Sequence, residues 1–240
     1  MSLTFPSSGF KGKGPRPKTK DQRPTKMPHN PSLVTAILLA AGQSRRMGAF
    51  KPLLPFGKTT VIESCIKYLT TGGVDSVVVV VGHRADDIRK QLSNYSVTFA
   101  VNPDPTSEMA ASIAAGVRQL PASAGAVLIS LVDYPAIPPA VIATILSEWP
   151  KGYRMVKPTW QGHGGHPVLV DLSFRADLLE LEPAAGLKGL FERHPDEVRR
   201  LEVDSPYIAR DLDTWDDYQR LHSEIFGVSA PPASSGPHSN

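Results

Sequence analysis

Short apolar runs alternate with segments of helical spacing along most of this chain. Residues 34–39 are almost wholly apolar and β-branched at the start, the pattern of a buried strand. Residues 60–69 place Ile62, Ile66 and Leu69 at helical spacing. Residues 77–81 are five consecutive valines, which predicts a strand buried on both faces. A helix over 85–92, a short strand over 97–101 and a helix over 110–120 follow, the last with Ile113, Val117 and Leu120 on one face. Residues 126–132 read as another buried strand, and 139–149 as a helix with proline in its first turn. Such alternation predicts an α/β fold with a mainly parallel sheet and crossover helices.

The second half is less regular. Residues 155–157 and 166–170 read as strands, with the turn between them at 160–165. Helices are expected over 174–181 and 187–193, and a strand over 198–203. A closing helix spans 214–226, with Thr214 as N-cap and Asp216 and Asp217 in the first turn.

Charge divides the chain unevenly. Residues 1–30 carry seven Lys/Arg against one acid, Asp21, so this segment is +6 and the remainder −3 although the whole is +3. Rich in proline, glycine and lysine, residues 1–31 cannot bury enough apolar surface to order themselves and read as a disordered basic tail without a signal-peptide core. Residues 32–226 form one folded domain, and 227–240, rich in Ser, Pro and Gly, a second disordered tail. No apolar run approaches the ~20 residues of a membrane span. The folded region shows no aromatic-interleaved basic patch, so no nucleic-acid partner is expected. The single cysteine, Cys65, sits in an apolar helical pattern and reads as a small buried thiol; a reducing, cytoplasmic setting fits.

The chemistry gathers where the first strand ends. Leu38-Leu39-Ala40-Ala41-Gly42-Gln43-Ser44-Arg45-Arg46-Met47-Gly48 is followed closely by Lys51. Small residues let backbone N–H groups approach a ligand, and the cations neutralise phosphate charge, so the loop reads as a nucleoside-triphosphate cradle. It is neither a Walker A loop nor G-x-G-x-x-G. Gly57-Lys58-Thr59 matches only the end of a Walker A loop.

The loop resembles the signature of the MobA-like nucleotidyltransferases, with the molybdenum cofactor cytidylyltransferases as the nearest branch. Further elements fall in the family's order: Gly82-His83, Asn102, Met109-x-x-Ser112, Asp133-x-Pro135, Gly165-His166-Pro167-Val168 and Asp211-Leu212-Asp213-Thr214. The resemblance spans about Leu33 to Leu221. It implies a single-domain Rossmann-like three-layer αβα sandwich with a mainly parallel mixed sheet, of the nucleotide-diphospho-sugar transferase type. It also implies the reaction: a phosphate oxygen of an acceptor attacks the α-phosphorus of a nucleoside triphosphate and pyrophosphate leaves. Positioning and charge stabilisation carry such a transfer.

On this resemblance Arg46, Lys51 and Asp133 are the expected catalytic residues. Leu39, Ala40, Ala41, Gly42, Arg46, Lys51, Asn102 and Ser112 would bind the nucleotide. Arg45 falls at a variable position and is expected to face solvent. Asp133, with Asp213 as second ligand and Asp211 as support, would hold Mg²⁺. His166 and Lys188 are expected on the acceptor side. Ala40-Ala41-Gly42 favours CTP over GTP, and molybdopterin or a sugar or polyol phosphate would be the acceptor. Two departures stand out. Val132-Asp133-Tyr134-Pro135 replaces the branch's Gly-Asp-Gln/Met-Pro, and Pro183-Ala184-Ala185-Gly186-Leu187-Lys188 replaces its Gly-Asp-x-Gly-Ala-Arg. Lysine cannot reproduce the arginine's bidentate fork. These changes leave open a second reading, a nucleotide-binding accessory or chaperone without turnover that has a molybdoenzyme as partner.

Overall fold

The computed structural model describes residues 33–231 apart from residue 45 and residues 105–107. The expected basic tail, most of the expected C-terminal tail and Arg45 lie outside the described residues. In chain order the elements are β1 (Leu33–Ala40), β2 (Pro55–Phe56), β3 (Thr59–Thr60), α1 (Val61–Thr71), β4 (Ser76–Val81), α2 (Ala85–Gln91), β5 (Thr98–Val101) and α3 (Met109–Arg118). Then come β6 (Ala124–Leu131), α4 (Pro139–Glu148), β7 (Met155–Trp160), β8 (His163–Gly164), β9 (Val168–Asp171), α5 (Arg175–Leu179), α6 (Gly186–Arg193), β10 (Val198–Glu202) and α7 (Trp215–Phe226).

The main sheet runs β10-β7-β9-β6-β1-β4-β5, with β8 attached to β7. β1, β4, β5 and β6 pair in parallel, with Ile37 opposite Val78 on one side and Ile129 on the other. β9 alone reverses within that order, pairing antiparallel with both β6 and β7. Alternation along β1 sends Ala36, Leu38 and Ala40 to a core shared with Ile62, Leu69, Ile142 and Tyr218 of α1, α4 and α7. Ile37 and Leu39 face the opposite core, with Ile113, Val117, Leu178 and Leu190 of α3, α5 and α6. Helices therefore cover both faces, as expected for a three-layer αβα sandwich.

Capping explains two helix starts. Thr60 and Glu63 form a capping box that opens α1, and Thr214 and Asp217 form another that opens α7. Three segments differ from the expectation. The turn expected over 160–165 contains the strand β8, which folds back on β7 around Gln161 and Gly162. The helix expected over 174–181 shrinks to α5, because the chain leaves it after Leu179 so that Leu181 can enter the core ahead of Pro183. Residues 55–60, of which only Thr60 falls in an expected element, the helix over 60–69, form the β2–β3 hairpin. Gly57 turns it with φ +63°, and a Cβ there would lie 2.6 Å from the Phe226 ring. Gly57-Lys58-Thr59 is thus a hairpin turn and not a phosphate loop.

From β1 the chain builds outward through β4 to β5, then returns to lay β6 on the other side of β1. That switch opens a crevice at the carboxyl ends of β1 and β6, where open α/β sheets bind ligands. Because β9 is reversed, its beginning reaches the same edge. Among the described residues no helix is long and apolar enough to cross a membrane.

Candidate active site

The loop after β1 folds back on itself. Ser44 adopts a left-handed φ of 53°. Its carbonyl accepts from the Met47 N–H at 3.2 Å, and its Oγ accepts from the Lys51 N–H at 3.2 Å. This brings Lys51 back under the sheet edge, where it is only 5% exposed. Its Nζ lies 3.0 Å from Asp133 Oδ1 and 3.6 Å from Asp213 Oδ1. Arg46, largely exposed, reaches the other oxygen of Asp213 at 3.0 Å.

Two backbone bonds assemble the carboxylates. The Val132 N–H donates to the Leu39 carbonyl at 3.1 Å, continuing the β1–β6 pairing past the end of β6. The Leu212 N–H donates to the Asp133 carbonyl at 3.0 Å, which fixes the 211–213 segment beside Asp133. Burial pushes the Asp133 carboxyl above its ordinary range. Lys51 opposes that rise, while Asp213 and Asp211 add to it. Asp211 is raised by burial and then by Asp213. Three carboxylates thus crowd one buried ammonium, leaving an excess of negative charge that a cation would balance.

A cavity of about 230 Å³ opens beside this cluster. Leu39, Ala41 and Gly42 line it from the loop after β1, Asn102, Asp104, Met109 and Ser112 from the β5–α3 connection, and Leu131 to Asp133 from the end of β6. The Asn102 N–H donates to the Val81 carbonyl at 2.8 Å and its Nδ2 to Ser112 Oγ at 2.8 Å, while its Oδ1 accepts from the Asp104 N–H at 3.2 Å. The side chain is locked before any ligand arrives. Ala40 points into the opposite core.

On the β6–β9 side, the His166 N–H donates to the Ile208 carbonyl at 2.9 Å. Gly165 makes that approach possible, since a Cβ there would lie 2.2 Å from the Ile208 oxygen. Burial lowers the His166 imidazole to about 4, against a hydrogen bond to the Ile129 carbonyl that pulls the other way, so the ring is neutral at pH 7. Its Nδ1 is buried and has no partner among the described residues. The ring packs on Tyr134, centroids 5.5 Å apart. Burial, then the charges of Asp211, Asp133 and Asp213, push the Tyr134 phenol up to about 12.

Most of the expected site residues therefore fall into two sets. Arg46, Lys51, Asp133 and Asp213 are joined by ion pairs, with Asp211 close enough to feel their charge. Leu39, Ala41, Gly42, Asn102 and Ser112 share the cavity with Asp133. Lys188 is not drawn into either group: it is mostly exposed on α6 and pairs with Glu192 at 3.7 Å. Sequence reasoning missed the contact of Tyr134 with His166 and the Leu212 bond that sets the 211–213 segment. The position of Tyr134 next to Asp133 was the one signal available. Cys65 is buried as expected; its thiol faces the Val132 carbonyl at 3.6 Å and burial pushes its pKa far up.

The sequence model of the MobA-like NTP transferase domain matches residues 36–198. The chain belongs to that family. The MobA-like resemblance of its motifs is thereby borne out, and membership makes it an NTP-dependent nucleotidyltransferase. Two curated relatives carry different names. "Nicotine blue oxidoreductase" of Paenarthrobacter nicotinovorans is 28% identical over 78% of this chain and 96% of its own length. "Molybdenum cofactor cytidylyltransferase" of Escherichia coli is 25% identical over 78% of this chain and 94% of its own. Among solved structures, Rv0371c of Mycobacterium tuberculosis is 29% identical with a TM-score of 0.72, covering 80% of this chain and 98% of its own. Its manganese complex also matches, at 25% identity, a TM-score of 0.70 and coverage of 80% and 98%.

Proposed function

We propose that this MobA-like domain transfers a cytidylyl group from CTP to the phosphate of a small acceptor, with molybdopterin as the first acceptor to test. The observation that carries this reading is the buried Lys51 ammonium set between Asp133 and Asp213 beside the cavity lined by Gly42, Asn102 and Ser112. The likeness to a protein named a cytidylyltransferase supports the choice of nucleotide.

The residues divide the work. The loop from Ala41 to Gly48 offers backbone N–H groups and space to the triphosphate, and Arg46 and Lys51 take its charge as their ion pairs loosen. The locked Asn102–Ser112 pair sets the wall against which base and ribose lie. An acceptor phosphate oxygen bonds to the α-phosphorus as the bond to the pyrophosphate oxygen breaks. The acceptor phosphate is already ionised at neutral pH, so no general base is needed, and charge stabilisation by Lys51 and Arg46 carries the step.

Divalent metal fits these residues. Asp133 and Asp213 supply hard carboxylate oxygens in a region of excess negative charge, and Mg²⁺ needs only one or two protein carboxylates beside substrate phosphates. Among the described residues no group of three or more His, Cys, Asp or Glu could hold a metal by itself. When bound, such a cation neutralises charge on the phosphates.

The test is pyrophosphate release from each of the four nucleoside triphosphates with Mg²⁺ and a panel of molybdopterin, sugar phosphates and polyol phosphates. Release that needs CTP and one acceptor is the expected result. Tight CTP binding with no release for any acceptor would favour a non-catalytic accessory. The likeness to a named oxidoreductase motivates one further arm, reduction of a dye acceptor by an added reductant. Turnover there in place of pyrophosphate release would overturn the transferase reading for this chain.

A further inference from the structure

Tyr134 follows Asp133 directly and is half-buried at the end of β6. Its ring rests on His166 with an interplanar angle of 41°. Among the described residues its hydroxyl has no hydrogen-bond partner, yet it is not a buried orphan, so solvent reaches it. The cations beside the carboxylates are already engaged, Lys51 with Asp133 and Asp213 and Arg46 with Asp213, while Lys157, whose charge reaches His166, lies over the Phe191 ring. Lys188 pairs with Glu192 on its own helix.

An acceptor phosphate that reaches this side meets a region crowded with carboxylates. A further cation placed here would pair with those carboxylates. A neutral donor would not, and could still hold a phosphate oxygen. We propose that the Tyr134 hydroxyl donates a hydrogen bond to the acceptor phosphate and that the His166 ring positions the phenol to do so. The assignment rests on the transferase reading above. His166 suits the positioning role. Its backbone is tied to Ile208, and Gly165 lets the two segments touch, so the ring has a fixed base. The reversed strand β9 brings that base to the carboxyl edge of β6, opposite the cavity that Asn102 and Ser112 line.

The test titrates methyl phosphate into protein saturated with Mg²⁺ and α,β-methylene-CTP, by calorimetry. Tyr134→Phe keeps the ring and removes the donor. It should weaken methyl phosphate about tenfold, while the affinity for the CTP analogue changes less than about twofold. His166→Ala should lose a similar factor, His166→Phe should restore most of it, and Tyr134→Phe added to His166→Ala should cost little more. Equal methyl phosphate affinity in wild type and Tyr134→Phe overturns the assignment. So does wild-type protein that binds the analogue but no methyl phosphate, or a Tyr134→Phe loss confined to the analogue. If wild type fails to bind the analogue, the transferase reading falls instead. Methyl phosphate titrated alone then decides on Tyr134 by the same comparison.

Discussion

On the β1–β4–β5 side of Asp133 the polar side chains hold one another: Asn102 holds Ser112, and Lys51 lies between two carboxylates. On the β6–β9 side, the Tyr134 hydroxyl and His166 Nδ1 have no partner among the described residues. The first side is locked in advance, as suits a ligand whose phosphates are the same whatever the acceptor. The second leaves the Tyr134 hydroxyl open to solvent and the His166 Nδ1 buried without a partner among the described residues. Parallel strands and a short loop build the first. A reversed strand and a segment from far along the chain build the second.

The largest expected effect lies where the two sides meet. Asp133→Asn should lower turnover by about 10³-fold or more, since a cation's charge stabilisation is worth several kcal/mol, while nucleotide affinity falls far less. Turnover that survives at saturating Mg²⁺ would break the placement of the metal. Next, Lys51→Ala should reduce kcat by about 10²-fold, with KM for CTP changed less. A deficit confined to KM would make Lys51 an anchor only.

A smaller effect separates the sides through pH. The His166 imidazole is held at about 4 against an ordinary 6.5, so between those values the unfolded chain binds a proton that the folded chain refuses. Stability from this group therefore rises with pH across the window and is lost as pH falls, by about 2 kcal/mol between pH 6.5 and pH 5. His166→Phe should flatten urea midpoints over that range, and a wild-type profile no steeper than the variant's would sink the assignment. Smallest, Ser112→Ala removes the hydroxyl that accepts from Asn102 Nδ2 and should cost about 1 kcal/mol of stability. It should also weaken CTP several-fold. A melt and a nucleotide titration check both, and unchanged values would mean that the locked wall is not a nucleotide contact.

Much of the first side was legible in the sequence because its signals are local. Val77 to Val81 can only be a buried strand, and the small residues after Leu39 sit beside their own cations. The second side was harder to read because its signals are distant pairings. Nothing in Gly165 or Ile208 alone announces that their backbones touch, and nothing in Leu212 announces its bond to Asp133. The β2–β3 hairpin was invisible for another reason: two residues per strand carry no periodicity, and its turn is braced by Phe226, far along the chain. Lys188 lies where the chain departs from the family motif, and its side chain stays at the surface of α6, paired with Glu192.

The bond from Leu212 to the Asp133 carbonyl also bears on how the protein is made. Every strand of the sheet precedes residue 203, so a chain emerging from the ribosome can lay down its sheet before Asp213 exists. Until that last segment docks, the buried lysine has only one of its two carboxylates and the cleft lacks its far rim. Truncated or stalled products would carry most of the scaffold but not the closed site. Competence to bind metal and triphosphate would then report that synthesis has reached its final helix.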